Sequence, residues 1–183
     1  MTTANRITLL RLMVVPVFLL FVFLYTPERE GLRFAALAVY VVAALSDAAD
    51  GYVARHWHQR SRLGARLDPL ADKLIVNLGF VFIAANPHFD PDVPLWFPVL
   101  ILTRDVVIVM GAYLINERIG PLKVNPRVSG KLTTIVQMST LIGVLLAVPF
   151  LDYLIAATLI LTLISMADYL YWGLKQAAAR NAS

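Results

Sequence analysis

The stretch that decides the organisation of this chain is SDAADGYVARHWHQRSRLGARLDPLADK, from Ser46 to Lys73. It holds four aspartates at the points where two apolar segments, 34–45 and 74–85, meet a basic loop: Asp47, Asp50, Asp68 and Asp72. The first two are three residues apart and the last two are four apart, so each pair is predicted to share one face of a helix. Ionisable side chains in membrane-buried segments are costly and usually mark a functional site.

These four carboxylates predict a cation site. Carboxylates at helix ends are often caps or solvated surface charges, and a single pair could be explained in that way. Four like charges brought together repel one another, so some would stay protonated unless a cation neutralised them. Ligation by oxygen alone is the preference of hard cations such as magnesium, manganese or calcium. The pattern therefore favours a divalent metal site at a membrane surface.

The same spacing carries a family resemblance. The pattern Asp47-x2-Asp50-Gly51-x2-Ala54-Arg55-x8-Gly64-x3-Asp68-x3-Asp72 matches the signature of the CDP-alcohol phosphatidyltransferases at all eight specified positions, and the chain resembles that family. The resemblance implies transfer of a phosphatidyl group from CDP-diacylglycerol to an alcohol, with release of CMP. It also implies two bound ions, Mg²⁺ or Mn²⁺, and a homodimer, the assembly that the family commonly forms.

The resemblance assigns a role to each residue of the signature. Asp47, Asp50 and Asp68 would be metal ligands, and Asp72 would be both a ligand and the general base that takes the proton of the attacking hydroxyl. The CDP-lipid site would include Asp47 and Asp68. Gly51, Ala54 and Gly64 would line the cytidine pocket, and Arg55 would hold the pyrophosphate.

Composition places the chain in a membrane. Hydrophobic residues make up 59% of the 183 residues and charged residues only 15%, and the mean hydropathy is +0.71. These values are too apolar for a soluble domain, and no nucleic-acid partner is expected. The absence of cysteine excludes disulfides and thiolate metal sites. The length predicts one helical domain covering residues 1–183.

Apolar length predicts an all-α bundle of six transmembrane helices, because about 20 residues cross a bilayer. The first apolar run ends at Tyr25, and the others cover 31–54, 67–86, 94–116, 128–149 and 152–174. A signal peptide is the alternative for the first run. No small-residue cleavage site follows it before Thr26-Pro27-Glu28, which favours a retained helix with a kink at Pro16.

Loop charge predicts the orientation of this bundle. Basic residues dominate one side: Arg6, Arg11, the loops 55–66 and 117–131, Lys175 and Arg180. The other side carries Glu28, Glu30, Asp90, Asp92 and Asp152, against only Arg29 and Arg33. The positive-inside rule then puts both termini and the metal site on the cytoplasmic side of a membrane, expected to be a bacterial inner membrane.

Cationic side chains beyond the signature are candidates for binding the acceptor: Arg104, Arg118, Arg127 and Lys131. Arg104 precedes Asp105 within a predicted span, where a structural ion pair is the alternative. The other three could be ordinary anchors to anionic lipid. Gly130-Lys131 at a predicted helix start would nevertheless offer free N–H groups to a phosphate. Asp168, near the end of the last span, has no role assigned from the sequence.

The acceptor is expected to be of the glycerol type. Arg104-Asp105 and Leu114-Ile115-Asn116-Glu117 look more like eukaryotic-type cardiolipin synthases than like phosphatidylglycerophosphate synthases. This favours phosphatidylglycerol as the acceptor, giving cardiolipin, with glycerol 3-phosphate as the alternative and inositol phosphate as a distant third. A small cation transporter is the non-enzymatic alternative, although transporters often show repeated halves and no internal repeat is visible here.

Overall fold

The computed structural model of the protein describes residues 3–56, 64–119 and 127–181, and gives side chains for 13–46, 73–117, 127–176 and 178. The described residues form six α-helices and a 3₁₀ turn at Pro27–Arg29, and they contain no strand. The helices are α1 (Thr3–Phe23), α2 (Glu30–His56), α3 (Gly64–Ala85), α4 (Trp96–Ile119), α5 (Val128–Leu146) and α6 (Leu151–Asn181). The predicted all-α class is therefore confirmed.

Helix boundaries follow the turn residues of the sequence. α1 ends before Thr26-Pro27 and α3 ends before Asn86-Pro87, as expected because the residue before a proline disfavours the helical conformation. α1 continues through Pro16. Each predicted span overlaps one helix, and α2, α4 and α6 extend beyond their predicted spans to His56, Ile119 and Asn181.

Three of the helices are long and apolar enough to cross a membrane. Their candidate spans are Trp96–Glu117, Val128–Leu146 and Leu151–Gln176. Shorter apolar stretches occupy Met13–Phe23 and Lys73–Ala85. This search covers only the described residues, and the six-span topology stays a prediction.

The first of two compact units contains residues Met1–Leu95 and Val144–Ala147. In it α1 packs against both α2 and α3. Phe18 of α1 is fully buried and lies 5.9 Å, between ring centroids, from the buried Tyr40 of α2. The amide of Asn86, which follows α3, donates to the carbonyl oxygens of Val22 and Tyr25 at 2.9 and 3.1 Å. These bonds satisfy carbonyl groups at the end of α1 that have no partner within the helix.

The second unit contains residues Trp96–Gly143 and Val148–Ser183. Its helices are joined by a row of buried hydroxyl groups. Thr133 of α5 donates to the Leu161 carbonyl of α6 at 3.0 Å, and the hydroxyls of Thr140 and Thr158 lie 2.8 Å apart. This pairing makes α5 and α6 antiparallel. Such interhelical hydrogen bonds are typical glue between membrane helices.

Candidate functional site

The four signature aspartates lie on two helices, as predicted. Asp47 and Asp50 belong to α2, near its end, and Asp68 and Asp72 belong to α3, near its start. The spacing of three and four residues therefore falls within regular helix, where it places each pair on one face. Their side chains lie outside the described residues, so metal ligation stays a prediction. Among the side chains that are described, no group of three or more His, Cys, Asp or Glu could hold a metal ion.

The remaining signature residues lie on the same two helices. Gly51, Ala54 and Arg55 are in the last part of α2, and Gly64 is the first residue of α3. Their side chains, like that of the acceptor candidate Arg118, lie outside the part of the chain that is described. The roles given to them by resemblance stay predictions.

Arg104 is the most deeply buried cation with a described side chain, at 4% exposure. Its Nη1 donates to Asp105 Oδ1 at 2.7 Å on the same helix, and its Nη2 donates to the Ser165 hydroxyl of α6. Its Nε finds no hydrogen-bond partner among the described residues. The ion pair joins neighbours on one helix rather than two helices, and one donor of the side chain is left over.

Arg127 pairs with Asp168, the residue that had no role assigned from the sequence. Arg127 Nε donates to Asp168 Oδ2 at 2.5 Å, and the Ser129 hydroxyl donates to the same oxygen at 2.6 Å. The Tyr169 hydroxyl accepts from the Arg127 backbone N–H at 3.4 Å. α6 thereby holds Arg127 and the first turn of α5, where backbone N–H groups lack partners within the helix.

Trp172 adds an aromatic platform beside this pair. The guanidinium carbon of Arg127 lies 4.7 Å from the Trp172 ring centroid, and Lys175 Nζ lies 5.0 Å from it. Both distances are within the range of cation–π attraction. A tryptophan near the end of a candidate span also fits an interfacial aromatic belt.

Gly130 allows a close approach at the start of α5. A Cβ atom added to it would lie 3.1 Å from the Tyr169 hydroxyl oxygen and 3.5 Å from Arg104 Nη2. The Arg104 guanidinium therefore reaches the first turn of α5 at Gly130. The structure confirms that Gly130-Lys131 stands at a helix start, and Lys131 is exposed there.

An apolar cavity of about 240 Å³ lies beside Arg104 between α4 and α6, and we refer to it as the α4–α6 cavity. Its apolar lining comes from both helices and includes Trp96, Val99, Leu100, Leu163 and Met166. Arg104 and Thr162 also line it. The Thr162 hydroxyl is buried and, like Arg104 Nε, has no partner among the described residues.

Sequence reasoning did not find Ser165, Asp168 and Tyr169 as partners of the cationic side chains. Their contacts join residues 39 to 61 positions apart, and each contact depends on how α6 packs against α4 or α5. The one available signal was an acidic residue near the basic end of a predicted span. Such a residue favours a cationic partner without identifying it.

The described residues are helical, with three apolar helices long enough to cross a membrane and the acidic signature on two further helices, which is the arrangement of a helical membrane-associated protein. The family model for CDP-alcohol phosphatidyltransferase matches residues 1–167. The chain therefore belongs to the CDP-alcohol phosphatidyltransferase family, and it is an enzyme of phospholipid biosynthesis.

Individual relatives come from two groups within that family. The chain is 35% identical over 174 residues to a probable phosphatidylglycerophosphate synthase of Mycobacterium tuberculosis, covering 91% of this chain and 78% of that protein. It is 31% identical over 134 residues to the human cardiolipin synthase (CMP-forming), covering 64% and 43%. It is 43% identical over 82 residues to the CDP-diacylglycerol–glycerol-3-phosphate 3-phosphatidyltransferase of Escherichia coli K12, covering 45% and 43%.

Proposed function

We propose that this protein transfers a phosphatidyl group from CDP-diacylglycerol to a glycerol-type acceptor, with release of CMP, in a reaction that depends on a divalent metal. The observation that carries the proposal is the eight-residue signature on α2 and α3. It puts two carboxylates on each of two helices, joined by a short connection. Membership of the family supports the same reaction.

The donor set fits a hard divalent cation, since it offers carboxylate oxygens and no sulfur or imidazole. Two ions of Mg²⁺ or Mn²⁺ would be held by Asp47, Asp50, Asp68 and Asp72. When bound, the ions would neutralise the charge on the pyrophosphate. Arg55 would hold the pyrophosphate, and Gly51, Ala54 and Gly64 would leave room for the cytidine.

Asp72 is the proposed general base. The acceptor hydroxyl oxygen attacks the phosphorus that carries the diacylglycerol, a new P–O bond forms, and the bond to CMP breaks. The hydroxyl proton passes to the Asp72 carboxylate as the oxygen attacks, and CMP leaves with the bridging oxygen. A base matters here because an alcohol is a poor nucleophile until it loses its proton.

We propose phosphatidylglycerol as the acceptor, which makes the product cardiolipin. The Arg104-Asp105 sequence supports this choice, and so does the apolar α4–α6 cavity beside Arg104, because a lipid acceptor needs an apolar seat. Glycerol 3-phosphate is the second candidate, with phosphatidylglycerophosphate as the product. The names of the Mycobacterium tuberculosis and Escherichia coli relatives favour it, as do the cations Arg127 and Lys131 near the start of α5.

We further propose six spans with both termini and the aspartates on the cytoplasmic side of a bacterial inner membrane. The distribution of Arg and Lys among the loops supports this topology. A single domain and a homodimer are part of the same proposal.

One assay with matched variants tests the reaction and the acceptor. Purified protein receives labelled CDP-diacylglycerol with either phosphatidylglycerol or glycerol 3-phosphate, and the lipid product is identified. We expect cardiolipin from phosphatidylglycerol, loss of CMP release with EDTA, and recovery with Mg²⁺ or Mn²⁺. Phosphatidylglycerophosphate formed from glycerol 3-phosphate alone would overturn the proposed acceptor.

The variants separate a metal ligand from a base. Asp68→Asn should lose metal-dependent turnover, whereas Asp72→Asn should still bind CDP-diacylglycerol while its rate falls by about 10²–10⁴-fold. Asp152→Asn, which changes an exposed aspartate at the start of α6, is the matched control and should keep full activity. Full turnover of Asp68→Asn at ordinary metal concentrations would contradict the ligand assignment.

A further inference from the structure

Three polar or aromatic side chains of α6 lie on one face of that helix: Asp168, Trp172 and Lys175. Their spacings of four and three residues are each about one helical turn, which places them one above the other. Arg127 contacts both Asp168 and Trp172, so this face of α6 is the one that meets the start of α5. The reaction proposed above uses none of the three α6 residues.

The guanidinium of Arg127 is held by two different groups of α6. Its Nε donates to Asp168 Oδ2 at 2.5 Å. That carboxylate oxygen is itself fixed, because the Ser129 hydroxyl donates to it at 2.6 Å. The guanidinium carbon lies 4.7 Å from the Trp172 ring centroid, within the range of cation–π attraction. One hydrogen bond and one ring contact thus restrain the same side chain.

The outer donors of this guanidinium are not used by the fold. Of its five N–H donors, four belong to Nη1 and Nη2. Among the described residues, the bonds of the Arg127 side chain are made by Nε alone. Neither Nη atom belongs to the enclosed polar atoms without a partner, and the side chain is 31% exposed. The edge of Arg127 that points away from Asp168 is therefore accessible to a ligand.

The surroundings of this edge favour an anion. The Lys131 backbone N–H donates to the Arg127 carbonyl at 3.2 Å, so the exposed Lys131 follows Arg127 by one helical turn. Lys175 Nζ lies 5.0 Å from the Trp172 ring centroid. These three cations outnumber the single carboxylate of Asp168. Two Nη groups in a fixed fork match two oxygens of a phosphate.

We propose that Asp168 and Trp172 are positioning residues for the acceptor, because they hold Arg127 so that its Nη1 and Nη2 bind the acceptor phosphate. This inference rests on the proposed function, since it takes an acceptor that carries a phosphate. The group is a diester in phosphatidylglycerol and a monoester in glycerol 3-phosphate, and either offers two oxygens to the fork. A side chain that is already held loses less freedom on binding, which corresponds to about two- to tenfold in affinity.

The direction of the KM change at Asp168 separates positioning from charge. Asp168→Asn removes a negative charge, so electrostatics alone would lower the KM for an anionic acceptor. Loss of positioning raises it instead, and we expect a rise of about two- to fivefold with kcat nearly unchanged. Initial rates at saturating CDP-diacylglycerol, with phosphatidylglycerol or glycerol 3-phosphate varied, measure both constants. An unchanged or lower KM would overturn the inference.

A second substitution shows whether Asp168 acts through Arg127. Arg127→Ala should raise the acceptor KM about tenfold, because the charge-assisted fork is lost. In that background Asp168→Asn should leave the KM unchanged or lower it, since only a repelling charge is then removed. A general loss of packing between α5 and α6 would raise the KM in both backgrounds, and that result would contradict a positioning role.

The ring of Trp172 is tested separately. Trp172→Leu should raise the acceptor KM by about two- to fivefold, whereas Trp172→Phe keeps an aromatic face and should have a smaller effect. Tyr153→Leu is the matched control, because Tyr153 is an aromatic residue at the other end of α6 and is 79% exposed. Wild-type KM in Trp172→Leu would exclude the ring from positioning Arg127.

Binding without turnover separates this inference from the proposed function. Equilibrium dialysis measures labelled glycerol 3-phosphate bound to the purified wild-type protein, Asp168→Asn and Trp172→Leu. Weaker binding by both variants supports the inference even if no product forms, and unaltered binding overturns it even if product forms. If the wild type binds no glycerol 3-phosphate, the KM values for phosphatidylglycerol decide.

Competition identifies the source of the phosphate. Unlabelled phosphatidylglycerol in mixed micelles is added to the dialysis, with diacylglycerol, which has no phosphate, as the control. Displacement by phosphatidylglycerol alone supports one phosphate position for the lipid headgroup and the free monoester. Displacement by diacylglycerol as well would contradict recognition through the phosphate. A wild-type protein that neither binds nor uses either acceptor would overturn both proposals.

Discussion

Two buried arginines in different parts of the molecule use their donors in opposite ways. Arg33 of α2 is 9% exposed, and it donates from Nε to the Leu145 carbonyl and from Nη1 to the Asp90 carbonyl, both at 2.8 Å. Arg104 of α4 is 4% exposed, and it donates to a carboxylate and a hydroxyl while its Nε is unpaired among the described residues.

The difference separates an arginine bonded to backbone carbonyl groups from one bonded to side chains with one donor left unpaired. At Arg33 the positive charge lies against the last turn of α5, where the helix dipole and unpaired carbonyls favour a cation. Both of its bonds go to backbone carbonyl groups. Arg104 lines the α4–α6 cavity, and its Nε–H is enclosed by protein atoms without a partner among the described residues. Burial alone is therefore a weak sign of function. The two arginines differ in which of their N–H donors have hydrogen-bond partners.

The largest effect is expected from removing the structural arginine. Arg33→Ala deletes two charge-assisted hydrogen bonds and leaves two carbonyl groups with fewer partners. We expect the free energy of unfolding in detergent to fall by roughly 3 kcal/mol, because each such bond contributes about 1.5–3 kcal/mol. Chemical denaturation followed by far-ultraviolet circular dichroism measures this change.

Arg29→Ala is the matched control for that measurement. Arg29 is an exposed arginine in the 3₁₀ turn just before α2, and its loss should leave the stability nearly unchanged. Folded Arg33→Ala protein should keep the wild-type KM for both substrates. An equal effect of the two substitutions would show that the carbonyl bonds of Arg33 contribute little.

A smaller effect, on binding rather than stability, is expected at the other arginine. In Arg104→Lys an ammonium group can still pair with Asp105, but the Nε–H donor is lost. We expect the KM for phosphatidylglycerol to rise about tenfold, corresponding to one charge-assisted hydrogen bond. The KM for CDP-diacylglycerol should stay unchanged, and lipid product formation at varied acceptor concentration measures both values. Lower stability with an unchanged KM would make Arg104 structural, like Arg33.

The helical architecture could be predicted from the sequence because apolar length and turn residues are local signals. Five predicted spans and the first apolar run each overlap one helix, and helix ends fall before Pro27 and Pro87. The number of helices that cross the membrane could not be predicted in the same way. Among the residues whose side chains are described, α1 and α3 contribute the apolar stretches Met13–Phe23 and Lys73–Ala85, so the number of spans stays a prediction.

The candidate site likewise contains features that the sequence predicts and contacts that depend on how the helices pack. The spacing of Asp47 and Asp50 is contained within one helix, so the sequence alone predicts that they share a face. The partner of Asp168 is 41 residues away, and only the packing of α6 against α5 brings Arg127 to it. Arg33 is one of the few basic residues on the side of the bundle that the positive-inside rule predicts to be acidic. Its hydrogen bonds to two backbone carbonyl groups, which only the fold reveals, explain why an arginine stands there.

Arg127 is an intermediate case between the two buried arginines, because its side chain is partly exposed. The side chains of Arg127 and Asp168 are 31% and 24% exposed, and their pair positions the first turn of α5. Because solvent screens such pairs, a contribution of about 0.2–1 kcal/mol is typical. We therefore expect Asp168→Asn to raise the acceptor KM by about two- to fivefold with little change in kcat. A salt titration of the KM checks the electrostatic origin.

Asp168→Asn needs a control on the same helix. Asp152→Asn removes an equal charge from an exposed position at the other end of α6 and should leave the acceptor KM unchanged. If Asp168→Asn instead lowers kcat by orders of magnitude, the residue takes part in the chemical step rather than in positioning Arg127.

The smallest effect is expected at two buried threonines, of which one hydroxyl has a hydrogen-bond partner and the other has none among the described residues. The Thr140 hydroxyl is bonded to the Val136 carbonyl at 2.8 Å and lies 2.8 Å from the Thr158 hydroxyl. The Thr162 hydroxyl is equally buried but unpaired among the described residues. We expect Thr140→Val to lower the free energy of unfolding by about 0.6 kcal/mol, the average for a hydrogen bond between membrane helices.

Thr162→Val is the informative counterpart, because valine keeps the shape of threonine and removes only the hydroxyl. Replacing an unpaired buried hydroxyl removes a polar group that has no compensating bond, so the stability should not fall. Thr140→Val should leave the acceptor KM unchanged. A loss of stability in Thr162→Val comparable to that in Thr140→Val would mean that the hydroxyl is satisfied within the fold.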